Sequence, residues 1–186
     1  MNHPELYILR HGETLWNAEN RMQGGLDSAL TARGVADAQR QHAILKGRDL
    51  TGFRFLTSPQ GRAVQTAAIA LGGIADWLRT DDRLREIGVG EWAGRLRSEL
   101  PLPDGPNALM KQYEMAPGGE GFAALKARCL SFLADLDEPA VIVTHGVTGM
   151  VLRALVVGEK AYAGPSVHAG QGCVFHLRDG VQTVLE

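Results

Sequence analysis

Cysteine is almost absent: Cys129 and Cys173 stand far apart, in no CxxC or Cys/His ligand spacing. That excludes a disulfide framework and the common zinc sites, and predicts two reduced thiols in a reducing, cytoplasmic compartment. No run of 18 apolar residues occurs, so no membrane span is expected. The start, MNHPELYILR, lacks the charged, then apolar, then small-residue order of a secretory signal. Surplus positive charge is missing too. With 19 Lys+Arg against 21 Asp+Glu and a net charge of -2, the chain does not have the basic excess that binding a phosphate backbone requires, and nucleic acid is not expected as a partner. Repeats, linkers and low-complexity tracts are absent as well. What remains is a chain of 186 residues, 45% hydrophobic, sized for one domain over 1–186 with a proper core.

Two periodicities alternate along it. Residues 5 to 10 read as a strand, and Thr31 opens a helix as N-cap, with Val35, Ala38, His42 and Leu45 recurring at three- and four-residue steps. Phe53 to Ser58 reads as a second strand. Ser58 and Pro59 suit the cap and first position of an Ala-rich helix that ends at Gly72-Gly73. Trp77 to Arg83 alternates weakly, as a short strand, and 84–118 is irregular, dense in Gly and Pro. A helix is predicted over Phe122–Leu136, a fully covered strand over Ala140–Thr144, a helix over Val147–Val157 and a C-terminal hairpin around Asp179-Gly180. The hairpin offers an edge strand for pairing. This order predicts a three-layer α/β/α fold with a mainly parallel central sheet and at least one antiparallel strand.

Two strands end alike, in ILRHG and IVTHG. Parallel strands of an open α/β sheet aim their carboxyl ends at one crevice, so His11 and His145 are expected to converge there. The exit of a third strand, TSPQGRAVQTA, puts Arg62 in the first turn of a helix, where free N–H groups favour an anion. Arg10, Arg62, His11 and His145 would then ring one anion. Paired guanidiniums favour phosphate, and an unprotonated imidazole in line with phosphorus can take the phosphoryl group. The leaving alkoxide needs a proton. Glu86 in RLREIGVGEWAG, flanked by Leu84 and Ile87, is the candidate acid, expected to be partly desolvated and so protonated near neutrality. Glu13 and Glu91 are the competing carboxyls.

RHGETLWN, SPQGRAVQTA, LREIGVGEWAG and VTHG, in that order, resemble the histidine phosphatase superfamily, which includes the cofactor-dependent phosphoglycerate mutases. The resemblance runs from about residue 5 to 157. It implies His11 as the phosphorylated nucleophile, Arg10, Arg62 and His145 as phosphate-binding residues, and Glu86 as acid and then base. It also implies substrate contacts from Asn17, Gln23 and Gly24, and no metal or organic cofactor. The implied activity is hydrolysis of a small phosphorylated metabolite, with 95–121 as a substrate-covering segment that sets specificity. Phosphoglycerate-type mutase action and catalytically silent binding of phosphorylated ligands are the alternatives. Mutases of this family carry an inserted segment for which this chain has little room, which favours hydrolysis.

Some positions depart from the family. PGGEG places Gly121 where relatives carry serine, and Thr57, Gln60 and Gly61 replace commoner residues of the SSPLxRA pattern. His3, His42, His168 and His176 read as surface or satisfied core groups, and Trp92 as packing. Met110, Tyr113 and Met115 are open between packing and pocket lining.

Overall fold

Alternation along two neighbouring strands sets the architecture. In β1 (Leu6–Arg10), Leu6 and Ile8 face one side of the sheet and Tyr7 and Leu9 the other. In β4 (Ala140–Thr144), Ala140 and Ile142 part from Val141 and Val143 in the same way. All eight are buried, so both faces of the sheet are covered. Helices α5 (Gly121–Ala134) and α6 (Gly146–Val157) cover one face through Leu125, Phe132 and Leu152. Helices α2 (Ala32–Lys46) and α3 (Gly61–Ala70) cover the other through Leu45, Ala63 and Ala67.

The computed structural model describes residues 3–105, 108–158, 161 and 170–186. Its strands, with β2 (Arg54–Thr57), β3 (Arg79–Thr80), β5 (Val174–Arg178) and β6 (Val181–Leu185), form one sheet in the order β3-β2-β4-β1-β5-β6. β3, β2, β4 and β1 are mutually parallel, whereas β5 runs antiparallel to β1 and β6 to β5. This is the predicted mainly parallel sheet between helical layers, with the antiparallel hairpin at one edge. Asp179 and Gly180 both take positive φ, at 52° and 71°, as a two-residue hairpin turn requires. No helix among the described residues is long and apolar enough to cross a membrane.

Several boundaries differ from the sequence reading. Helix α3 begins at Gly61 rather than Pro59, with Gln60 as its extended N-cap residue. Ser58 does not cap it: the Asp27 carboxylate accepts from the N–H groups of Gly61 (2.7 Å) and Arg62 (3.3 Å) instead. The strand expected over 77–83 shrinks to Arg79–Thr80. Within 84–118 lie short 3-10 turns and helix α4 (Ala108–Glu114), all too brief to leave a readable apolar period. Trp92 packs there with Met22, Val89, Leu100 and Ala116 in a separate small core. At position 121 the backbone takes φ +71°, which suits glycine, and the Phe122 N–H is satisfied by the Glu114 carboxylate (2.8 Å).

The inward face of α2 is also polar in part. Gly34, Asp37, Ala38, Gln41 and Leu45 are buried, whereas Val35 and His42 are half-buried. The apolar stripe misleads here because Gln41 faces inward to donate its Nε2–H groups to the carbonyls of Arg10 (2.9 Å) and Cys173 (3.1 Å). A short four-residue helix, α1 (Leu15–Ala18), follows β1 with a Thr14/Asn17 capping box.

The turn after β1 lies directly on the first turn of α2. A Cβ at Gly12 would sit 2.1 Å from the Gly34 carbonyl oxygen, and one at Gly34 would sit 2.0 Å from the Glu13 carbonyl oxygen. Backbone cannot yield as a flexible side chain can. Gly34→Ala is therefore expected to cost about 3 kcal/mol in urea unfolding, at the upper end of overpacking penalties, while Gly47→Ala, with nothing within 4 Å of its Cβ, stays within about 0.5 kcal/mol.

Candidate active site

β1 and β4 pair with Arg10 opposite Thr144, and the His11 N–H extends that ladder by donating to the Thr144 carbonyl (2.9 Å). The next residues, His11 and His145, therefore emerge side by side, with ring centroids 5.1 Å apart and planes at 61°. On the other flank of β4, the Ser58 N–H donates to Val143 O (2.9 Å). This places the Ser58 hydroxyl 2.7 Å from His145 Nε2. Arg62, the second residue of α3, reaches the same point, and its Nε–H donates to His11 Nε2 (3.3 Å).

Arg62 is held firmly although it is charged and only 2% exposed. Its Nη1 donates to Leu26 O (2.6 Å) and Asp27 Oδ1 (2.8 Å), and its Nη2 to Gly24 O (3.0 Å). Arg10 lies across the start of α6, where a Cβ on Gly146 would stand 3.4 Å from its Cζ and Nε. Glu86 occupies the N-terminus of that helix. Its Oε2 accepts from the Val147 N–H (3.1 Å), and its Oε1 from the N–H groups of Thr148 (3.0 Å) and Ile87 (3.1 Å). The Thr148 hydroxyl stands 3.1 Å from Oε1 and 2.6 Å from Arg85 O, where its proton goes.

The surroundings of Glu86 thus differ from those expected. Leu84 and Ile87 are fully buried in the main core and do not wrap the carboxyl. Backbone N–H groups wrap it instead, as a cap on α6, whose N-terminal residue His145 supplies no side-chain cap. Glu13 lines the cavity but is occupied by Thr31 Oγ1 (2.9 Å) and Arg33 (3.4 Å). Glu91 is exposed and outside the lining.

The electrostatics follow from burial. His11 Nδ1 lies 2.8 Å from Gly12 O, and a carbonyl can only accept, so the ring proton sits on Nδ1 and Nε2 carries a lone pair. The Arg62 Nε–H pointing at Nε2 requires the same tautomer. Burial, then the charges of Arg62 and Arg10, hold His11 well below the usual histidine range, against a weak opposing pull from Gly12 O. Burial, followed by His11, Arg62 and Arg10, does the same to His145, whose buried Nδ1 has no hydrogen-bond partner among the described residues. The neutral His11 ring and the guanidiniums of Arg10 and Arg62 line the crevice, whereas the neutral His145 ring is buried beside His11 and outside the lining.

The cavity in front of them measures about 940 Å³. Asn17, Gln23 and Gly24 all line it. Asn17 Oδ1 is engaged by the N–H of Thr14 and by Gln171 Nε2, both at 3.2 Å. Gln23 Nε2 donates to Thr14 Oγ1 (2.7 Å), and its buried Oε1 has no partner among the described residues. Gly24 has φ +53°, and a Cβ there would strike Val89 Cγ2 at 2.5 Å. From 95–121 come Arg97, Leu102, Met110, Gln112 and Tyr113, facing Met150 of α6. Arg97 donates to Tyr113 Oη and to Gln112 Oε1 (3.0 Å). Met110 and Tyr113 are therefore pocket lining, whereas Met115 is exposed.

Sequence reasoning missed Asp27 and Thr148, took Ser58 for a helix cap and noted Gln60 only as a departure. Asp27 and Thr148 carried no local signal, since each acts across many residues of chain. His42 contacts Ala70 O, and His176 pairs with Glu5 (2.6 Å) and stacks on Tyr7, away from the site. His168 lies outside the described residues. Among the described residues no group of three or more His, Cys, Asp or Glu is placed to hold a metal ion.

Depressed histidines carry a stability consequence. An unfolded histidine takes up a proton near pH 6.5, whereas folded His11 and His145 do so only at lower pH. Their contribution is fully present above about 6.5 and is lost as pH falls toward the folded values, by up to about 1.4 kcal/mol per pH unit for each ring. Urea unfolding between about pH 7 and pH 5 should show this slope in the wild type and a shallower one in His11→Gln.

Comparison with known proteins bears on the same residues. The family model of the histidine phosphatase superfamily (branch 1) matches residues 6–182. A curated relative named "Probable phosphoglycerate mutase GpmB", from Enterobacter sp. (strain 638), is 34% identical over 168 residues, covering 86% of this chain and 77% of the relative. Among solved structures, the alpha-ribazole phosphatase from Shigella flexneri superposes with a TM-score of 0.77 at 29% identity, covering 98% of this chain and 94% of that one. TTHB049 from Thermus thermophilus gives 0.75 at 34% identity, covering 98% and 97%. With its strand-end histidines adjacent and the family's motifs matched over nearly its whole length, the chain belongs to the histidine phosphatase superfamily and is an enzyme of that class.

Proposed function

We propose that this protein hydrolyses phosphomonoesters of small metabolites through a phosphohistidine on His11, without metal or organic cofactor and in a reducing, cytoplasmic setting. The observation that carries the reading is the fixed His11 tautomer: an Nε2 lone pair faces a cavity framed by Arg10, Arg62 and Glu86. An arriving phosphoryl oxygen takes over the Arg62 Nε–H, freeing that lone pair to attack phosphorus. Arg10, Arg62 and His145 hold the equatorial oxygens as charge builds on them. As the N–P bond forms, the ester P–O bond breaks, and Glu86 gives its proton to the leaving oxygen. Oε2, which accepts from the Val147 N–H, is the oxygen that exchanges that proton, since Oε1 already accepts from the N–H groups of Thr148 and Ile87. Water then attacks phosphorus, Glu86 takes a proton from it, the P–N bond breaks and the acid form returns.

Residues 95–121 cover the substrate in this reading, with Tyr113, Met110 and Leu102 against the leaving group and Arg97 beside them. Asn17, Gln23 and Gly24 contact the phosphoryl end. The neighbours' names supply two esters worth assaying, an α-ribazole phosphate and the phosphoglycerates. Hydrolysis is favoured over mutase action by the solved neighbour named an alpha-ribazole phosphatase, of which this chain covers 94%.

A panel of phosphate esters assayed without metal should show turnover that His11→Ala abolishes, with an acid-labile phosphoryl adduct on His11 during turnover of the wild type. Glu86→Gln should lower kcat by about 10²-fold to 10⁴-fold on alkyl esters. Phosphoglycerate isomerised in the presence of a bisphosphorylated primer, faster than it is hydrolysed, would assign mutase action instead.

A further inference from the structure

Gln60 stands where the SSPLxRA pattern of the superfamily has leucine, yet it is 3% exposed and its side chain makes two hydrogen bonds, one buried and one part-buried. Its Nε2–H donates to Gly24 O (2.8 Å), and its Oε1 accepts from the Glu86 N–H (2.7 Å). One neighbour only accepts and the other only donates, so the amide's orientation is fixed by its partners. The same Gly24 carbonyl takes the Arg62 Nη2–H (3.0 Å). A single side chain thus ties the loop that clamps Arg62 to the backbone that carries Glu86.

The two ends are not equally dependent on it. Arg62 is held by Leu26 O, Asp27 and Gly24 O, none of which position 60 supplies. The backbone N–H of Glu86 has the Gln60 amide as its partner. Leucine there removes that partner, so the N–H must turn to solvent or to another acceptor, and the Glu86 backbone shifts to reach it. Displacement of an acid by even a fraction of an ångström changes proton delivery while leaving phosphate binding nearly intact.

Resting on the hydrolase reading, we infer that Gln60 is a positioning residue, which sets where Glu86 stands relative to the phosphoryl group held by Arg62. The consequence is specific to leaving groups. An alkoxide needs a proton from Glu86 as it departs, whereas p-nitrophenolate leaves without one. Since kcat/KM reports the step that expels the leaving group, it separates the two cases.

The test compares kcat/KM for β-glycerophosphate and p-nitrophenyl phosphate in wild type, Gln60→Leu, Gln60→Met, Glu86→Gln and Glu86→Gln/Gln60→Leu. Either Gln60 variant should lose about tenfold to hundredfold on the alkyl ester and less than about threefold on the aryl ester. In the Glu86→Gln enzyme, Gln60→Leu should cost nothing further on the alkyl ester. Equal losses on both esters, or additive losses in the double variant, would overturn the assignment. So would failure of both Gln60 variants to fold, which would make the amide a stability device. Absence of His11-dependent hydrolysis of either ester by the wild type would instead remove the functional reading, and this assignment with it.

Discussion

The parallel pairing of β1 with β4 is the constraint on which everything else rests. Register in a sheet moves side chains by a whole residue or not at all. With Arg10 opposite Thr144, the two histidines come out abreast, and a slip of one residue would turn one of them into the wrong layer. The buried alternation of Leu6, Tyr7, Ile8 and Leu9 against Ala140 to Val143 enforces that register on both faces at once. A precise site is therefore obtained from aliphatic packing. The glycine contact between Gly12 and Gly34 then lets the chain leave β1 flat against α2, so the turn that carries His11 is braced from behind.

Around that frame the charges are arranged asymmetrically. Arg62 is fixed by loop carbonyls and Asp27, Arg10 rests on the glycine that starts α6, and Glu86 caps the same helix. Arg62 leans on two loop carbonyls as well as on the Asp27 carboxylate, and Glu86 on backbone N–H groups. Such preorganisation leaves little to reorder when a ligand arrives. The imidazoles stay neutral because the guanidiniums and their own burial make a further positive charge costly.

The convergence of Arg10, His11, Arg62 and His145 was legible because each ends a strand or opens a helix, and strand ends of a parallel sheet share one edge. The three-layer fold was legible for the same reason, since apolar runs and caps are local. Asp27 was not, because it reaches Arg62 from a loop with no periodic signature. Gln41 and Asp37 were hidden by the assumption that the inner stripe of a helix is apolar, when α2 must also satisfy carbonyls at the end of β1. Glu86 was found, but its environment was misjudged: flanking Leu84 and Ile87 turn into the core and leave the carboxyl to the start of α6. Helix α4 is shorter than two turns, below the length at which amphipathic spacing becomes visible.

The clamped guanidiniums have one more effect. Under the hydrolase reading proposed above, they grip a phosphoryl group regardless of what hangs from it, so the inorganic phosphate that reading releases would fit the same seat. On the same reading, abundant phosphate would favour the folded state by mass action.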